Sequence, residues 1–331
     1  MRRRTFIALL GGAAAAQPLA ARAQQMDRVR LIGELIGFAD GDPIGQALHT
    51  SFRAGLTKLG WVEGKNLRIE SRWGGADPDR ISRLAKELVD LRPDAIFCMP
   101  TLAASGLAPE TRTIPIVFAV VGDPIGSGLV TSYAHPGGNI TGFASFDPAI
   151  SGKWVQLLKE IAPRTERVAL LFNPTTAMVF QFLLPGFEAA VSSFGVQVSE
   201  APVHEKDEIE KVLAAQARTP GGGLIVMPDV FNVKNRDLII TLAARYSIPA
   251  IYFNPAFFVE SGGLIGYNDD YFEEARLAAG YIDRILRGGM VADLPVQAPT
   301  KYQLMINLKT AKALGLTVPL IMQMTADKVI E

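Results

Sequence analysis

Three histidines, one cysteine, one glycine-flanked serine and a few aspartates at the ends of apolar runs are the residues of this chain whose types suit chemistry. His49, His135 and His204 lie far apart, and none has a second histidine four residues away, so no helix turns two imidazoles toward one metal. Ser127 sits in Gly126-Ser127-Gly128, but a nucleophile elbow needs a glycine two residues before the serine, where Ile125 stands. The run from Gly122 to Gly128 has neither the lysine of a P-loop nor the spacing of a dinucleotide fingerprint, and reads as a turn. Cys98 is the only cysteine, which excludes an internal disulfide and a cysteine-rich metal site; it follows Ala95-Ile96-Phe97 and reads as a buried small hydrophobe. Asp229 and the pair Asp269-Asp270 follow strand-like runs, where catalytic acids can sit, but no histidine or lysine completes a constellation. Ligand contact or helix capping is the expected role of these acids. No catalytic residue, cofactor or metal is expected, and the chain is expected not to be an enzyme.

The elements that must position such residues alternate between short apolar runs and helical periods. Val29–Ile36, Leu67–Trp73, Ala95–Cys98 and Ile116–Val120 read as strands. Between them, Ile44, Leu48, Phe52, Leu56 and Leu59, then Ile81, Leu84, Leu88 and Leu91, recur at helical spacing, and Thr101–Glu110 forms a third helix. Such a βαβα run predicts a parallel sheet covered on both faces. The pattern then repeats. Helices are expected at Pro148–Ile161, Val179–Phe194, Asp207–Ala217, Val233–Tyr246, Phe272–Leu286 and Lys309–Leu314. Strands are expected at Val168–Phe172, Val196–Glu200, Leu224–Met227, Ala250–Phe253, Leu264–Tyr267 and Gln303–Asn307. Two similar α/β lobes result, and the absence of a low-complexity linker favours several short crossovers over one tether.

Composition narrows the partners. Residues 1–23 open with three arginines, Arg2–Arg4, followed by a short apolar run interrupted by Gln17 and Pro18 and an Ala21-Arg22-Ala23 site, the layout of an export signal. The apolar run is shorter than the roughly 20 residues of a membrane-spanning helix. Arg3-Arg4-Thr5-Phe6-Ile7 resembles a twin-arginine signal. Cleavage after Ala23 would remove four of the 33 Lys+Arg and leave 29 against 33 Asp+Glu, a net −4. No basic run suggests nucleic acid or an anionic membrane. The segment holds no cysteine for a lipid anchor, so a soluble, monomeric periplasmic protein is expected.

Several segments together resemble one family. They are Phe52-Arg53-Ala54-Gly55-Leu56 with Leu59–Asn66, the glycine-rich run Val121–Val130, Pro136–Gly142, Pro299-Thr300-Lys301-Tyr302, and the long run Asn307–Leu316. The chain, over about residues 28–331, is similar to the ABC-transporter substrate-binding proteins of the tryptophan/tyrosine-binding-like type. That resemblance implies a type I periplasmic-binding fold: two doubly wound parallel-sheet lobes, three crossovers and a ligand cleft between the lobes. It also implies a small-molecule ligand, amino-acid-like or a small carboxylate or aromatic, and an ABC permease as partner. Lobe 1 is expected over residues 28–145 plus 268–298, and lobe 2 over 146–267 plus 299–331, with crossovers near Ala144–Pro148, Gly266–Asp269 and Ala298–Tyr302. An exported α/β enzyme or a ligand-sensing module using the same cleft is the alternative.

Open α/β sheets bind ligands beyond the carboxyl ends of their strands, where helix N-termini offer free N–H groups. The strand-following residues are therefore the candidate site. In the first lobe they are Phe38 and Asp40, and Pro100 and Thr101. The family often has a Gly-Thr-Pro-Ala type of turn at the latter place, and here Cys98-Met99-Pro100-Thr101-Leu102 interchanges proline and threonine. In the second lobe they are Asn173, Thr175 and Thr176, then Asp229 and Phe231, then Asn254 and Phe257, with Tyr267 near the hinge. Threonine hydroxyls suit a carboxylate, Asp229 suits an ammonium or hydroxyl, and the phenylalanines suit an aromatic or aliphatic body.

Overall fold

The apolar runs become two parallel-stranded sheets in the computed structural model of the protein, which describes residues 28–331. The first sheet has β1 (Arg30–Ile36), β2 (Leu67–Trp73), β3 (Ala95–Met99), β4 (Ile116–Val121) and β5 (Ile140–Ala144), in the order β2-β1-β3-β4-β5 and parallel throughout. Every residue of β3 and β4 is buried, as strands covered by helices on both faces must be. Helices α1 (Pro43–Lys58), α2 (Pro78–Asp90) and α3 (Thr101–Leu107) connect them. Asp42 and Asp77 start the first two: each accepts from first-turn N–H groups, and a proline follows at the first helical position.

The second sheet has seven strands in the order β12-β11-β10-β9-β8-β6-β7. These are β6 (Arg167–Phe172), β7 (Gln197–Pro202), β8 (Gly222–Val226), β9 (Ala250–Tyr252), β10 (Ile265–Asp269), β11 (Tyr302–Asn307) and β12 (Lys328–Ile330). Only the β10–β11 pair is antiparallel. The helices of this part are α4 (Ile150–Ile161), α5 (Phe180–Phe194), α6 (Lys206–Ala217), α7 (Val230–Lys234), α8 (Arg236–Arg245) and α9 (Pro255–Phe258), followed by α10 (Tyr271–Leu286), α11 (Leu308–Ala313) and α12 (Leu320–Thr325).

The chain passes between the two sheets three times. It leaves the first sheet after β5, returns from β10 into α10, and leaves again beyond Gln297 for β11. Helix α10 packs on α1 and β4 of the first lobe. At Gly55 of α1 an added Cβ would lie 2.7 Å from the Ala279 Cβ and 2.8 Å from the Arg276 carbonyl, so the two helices approach through a residue without a side chain. The segment that follows α10 is sewn to β5: the Gln297 amide donates to the Gly142 carbonyl at 3.0 Å, and the Ala144 amide to the Gln297 carbonyl at 2.8 Å. Strand β10 runs to Asp269, so Asn268 and Asp269 pair within the second sheet and the return to the first lobe begins at Asp270.

Sequence periodicity misses five features. β5 has only five residues, with Gly142 inside it, and carries no strand pattern of its own. The helix expected over Val233–Tyr246 is two helices, α7 and α8, broken where Asn235 takes φ −104 and ψ 15. α9 and α12 are too short to show a period. β12 is a three-residue edge strand. Residues 1–27, with the expected export signal, lie outside the described part. Among the described residues no helix is long and apolar enough to cross a membrane.

Candidate functional site

The carboxyl ends of the parallel strands from both lobes face one cleft. From the first lobe come Phe38 after β1, Pro100, Thr101 and Leu102 after β3, and Val120 at the end of β4. From the second come Thr176, Met178 and Val179 after β6, Pro228, Asp229, Val230 and Val233 after β8, and Phe253 and Phe257 after β9. Phe146 and Tyr271 enter from the two crossovers that follow β5 and β10. Phe38 and Phe257 meet edge to face across the lobes, with centroids 6.5 Å apart. The cleft holds about 50 Å³ of free space, less than the roughly 150 Å³ in which an engineered apolar cavity takes benzene. A ring-sized ligand therefore enters only if rings swing aside or the lobes part.

The polar groups of the cleft are few, and its own framework uses most of them. Asp229 is the N-cap of α7 and accepts three hydrogen bonds: from the Phe231 amide at 2.9 Å, the Asn173 amide at 2.7 Å and the Thr176 hydroxyl at 2.5 Å. Burial pushes its carboxyl up to about 6, against the downward pull of those three donors. The Thr101 hydroxyl accepts from the Gly122 amide at 3.2 Å and keeps its own proton to donate.

Behind this wall the hinge contains a buried acid pair. Glu274 of α10 accepts from the Val120 amide at 2.8 Å and from the Ser145 hydroxyl at 2.9 Å. Val120 has φ +61, which a β-branched residue adopts only when its surroundings hold it there, and the β4–β5 register shifts between Phe118 and Val121. Asp269 faces Glu274, and neither of its oxygens accepts from an ordinary donor. Two ionised carboxylates buried side by side repel, which favours the protonated form of each. Burial, then the Glu274 charge, hold Asp269 well above the usual carboxylate range, and burial raises Glu274 too.

Of the residues expected from sequence, Phe38, Pro100, Thr101, Thr176, Asp229 and Phe257 come together in the cleft lining. The other six lie elsewhere. Asp40 is exposed and bonds Gln46 of α1 at 3.3 Å. Asn173 spends its amide side chain on the Thr175 N–H and the His204 carbonyl, while Thr175 is exposed. Asn254 caps α9 through the Phe257 amide. Phe231 is half-buried beside the cleft, and Tyr267 stacks on Tyr302 at 5.5 Å on the hinge strands. Sequence reasoning missed Phe146 and Tyr271, which follow strand ends at the crossovers. It also missed an ion pair between the lobes, where Arg236 of α8 meets Asp42 of the first lobe at 2.8 Å, both side chains 12% exposed.

A cleft lined from both of two α/β lobes, at the strand ends, defines a hinged two-lobe binding protein with the type I periplasmic-binding fold. The match to known families agrees: residues 38–330 match the ABC transporter substrate binding proteins, and the chain belongs to that family. The chain is 25% identical over 273 residues to the tyrosine-binding protein of Clostridioides difficile, covering 80% of this chain and 75% of the relative. Its fold is similar to that of a conserved domain protein from Vibrio cholerae, with a TM-score of 0.84 at 25% identity, covering 91% of this chain and all of the other. It is also similar to an ABC domain from Streptococcus pneumonia in complex with L-Trp, with a TM-score of 0.83 at 26% identity, covering 91% and 99%. Proteins of this family are the binding components of ABC transporters and act outside the cytoplasm.

Proposed function

We propose that the protein is a monomeric periplasmic receptor that captures a small solute with an apolar body between its lobes and hands it to an ABC permease. The observation that carries this reading is the aromatic cleft itself, to which both lobes and two crossovers contribute walls. Residues 1–23, read as an export signal of the twin-arginine kind, supply the route out of the cytoplasm. The relatives that carry L-Trp or the name of tyrosine support a ring-bearing solute. The reading as a binder rather than an enzyme is supported by the lining, which holds Asp229 but no histidine, lysine or cysteine to act with it. Thr101 gives the ligand one hydroxyl donor, and closing the lobes removes water from the rings.

Thermal-shift screening of aromatic amino acids, aromatic acids, amines, small amides and sugars tests the reading. One class of small solute should raise the melting temperature and bind with 1:1 stoichiometry in calorimetry, since a ligand at a hundredfold excess over Kd adds about 2.7 kcal/mol. Thr101→Val should weaken that ligand by roughly tenfold through loss of one hydrogen bond. A screen in which no small solute binds would count against the receptor.

A further inference from the structure

We propose that the buried carboxyl pair at the hinge, Asp269 and Glu274, links lobe closure to a proton: the closed lobes hold a proton at this pair, opening releases it, and the receptor grips its solute more tightly in acid than in alkaline surroundings. This rests on the receptor reading and adds a regulation of the same cleft. The two acids belong to different lobes. Asp269 ends β10 and pairs with Tyr302 in the second sheet. Glu274 lies one turn into α10, which packs on α1 and β4 of the first lobe. Only Asp270 to Glu273 separate them, the segment in which the chain returns to the first lobe. The other two crossovers meet the pair as well. Ser145, where the chain leaves β5, donates its hydroxyl to Glu274 at 2.9 Å. Gln297 and Thr300 of the third crossover line a cavity of about 490 Å³ together with Asp269 and Glu274. A rotation of one lobe about these crossovers therefore changes the spacing and the hydration of the pair.

The described arrangement, in which Phe38 meets Phe257 across the lobes, is the closed one, and there the pair is dry. Asp269 is 4% and Glu274 7% exposed, and no amide or hydroxyl of another residue donates to either Asp269 oxygen. Protonated, one carboxyl can donate to the other; ionised together, they repel across a contact without water. Burial, then the Glu274 charge, raise Asp269, and burial raises Glu274. Opening admits water from the neighbouring cavity, and a hydrated carboxylate tolerates its charge. The closed state thus binds more protons than the open one, and closure weakens as the pH climbs through the raised range.

No cation stands among the groups that act on either acid. On α10, Asp270 caps the helix and accepts from Gln303, Glu273 pairs with Arg276, and the Tyr271 hydroxyl bonds the Asn268 side chain. The second sheet brings Tyr267 and Tyr302, both raised by burial, with Asp147 beside Tyr302. Strands β3, β4 and β5 bring no ionisable side chain but Cys98, whose thiol burial pushes up. On α1, His49 and Arg53 are held by Glu34 and Glu63, and Lys58 acts on Glu273. Helix α4, packed on β10, spends Lys153 and Lys159 on Gln156 and the Thr165 carbonyl. Lys301 of the cavity wall is exposed. The cleft wall is tied to the pair. Glu274 holds the amide of Val120, a cleft residue, in its φ +61 conformation, and Ser145 and Asp270 lead directly to Phe146 and Tyr271 of the lining.

Small-angle scattering of the processed, full-length receptor without ligand tests this, at fixed ionic strength from pH 5 to pH 8.5. The radius of gyration should grow with pH. Asp269→Asn and Glu274→Gln each place an amide that does not titrate in the pair, and each should keep the compact radius over the whole range. A parent radius that does not change would overturn the proposal. So would a radius that grows alike in the parent and the variants, because the titrating group would then lie elsewhere; if one variant folds poorly, the other decides. L-Tryptophan and L-tyrosine serve as probes in calorimetry at pH 6 and pH 8. Whichever binds should lose affinity by as much as about tenfold per pH unit, the limit for one linked proton. Its binding heat should also differ between phosphate and Tris buffers, because binding takes up protons. Equal affinity at the two pH values would overturn the proposal and leave the receptor standing. Failure of both amino acids to bind would count against the ligand class of the receptor, and the scattering series alone would decide the hinge.

Discussion

Two roles meet in one carboxylate at Asp229, and the geometry separates them by measurement. As the cap of α7 it satisfies the Asn173 and Phe231 amides and the Thr176 hydroxyl, so Asp229→Ala leaves buried donors without partners. That should lower unfolding stability by about 1–3 kcal/mol in a urea titration. An unchanged midpoint would show that water replaces the cap. The buried acids at the hinge make a separate prediction about pH. Asp269 and Glu274 both have folded-state values raised above the ordinary carboxylate range, chiefly by burial. Their contribution is therefore complete at acid pH, below the ordinary range, and is lost as pH rises through the raised values. Asp269→Asn keeps a donor toward Glu274 without a titrating proton. Its melting temperature should gain on the parent's as pH rises above the ordinary carboxylate range; a difference that does not vary with pH would contradict the raised carboxyls.

At the scale of elements, the contact between α1 and α10 ties the segment returning from β10 to the first lobe. Gly55→Leu has no room against Ala279 and the Arg276 carbonyl and should cost about 1–3 kcal/mol, read as a lowered chemical-denaturation midpoint. A wild-type midpoint would mean that the helices slide apart freely. The elements that periodicity reveals are those long enough to show a period: the βα alternation from Arg30 to Val121, and the helices with four or more apolar repeats. β5 escapes because glycine and a short span leave Ile140–Ala144 without alternation, and the break at Asn235 escapes because apolar residues continue at helical spacing on both sides. The site divides in the same way. The rule that ligands sit beyond strand ends finds Phe38, Thr101, Asp229 and Phe257. It cannot tell which strand-following polar residue faces the cleft and which turns back to cap, as Asn173 and Asn254 do. Phe146 and Tyr271 are hidden because crossover residues read as ordinary core. The Asp42–Arg236 pair joins residues 194 positions apart, a distance no local pattern spans.

At the scale of the whole molecule, three crossovers connect the lobes, and the pair Asp42–Arg236 bridges them. Arg236→Gln removes that bond while Asp42 keeps capping α1. The ligand-free variant should therefore have a larger radius of gyration than the parent, and bind ligand more weakly because closure is less favoured. An identical radius would mean that the rings alone hold the lobes. The central claim is that solute binds between the lobes and closes them. The measurement that reaches it most directly is small-angle scattering of Arg236→Gln with and without a saturating ligand taken from the calorimetric screen. The account predicts that ligand returns the opened variant to the radius of the liganded parent. A radius that stays expanded at saturation would place the ligand outside the cleft and contradict the account.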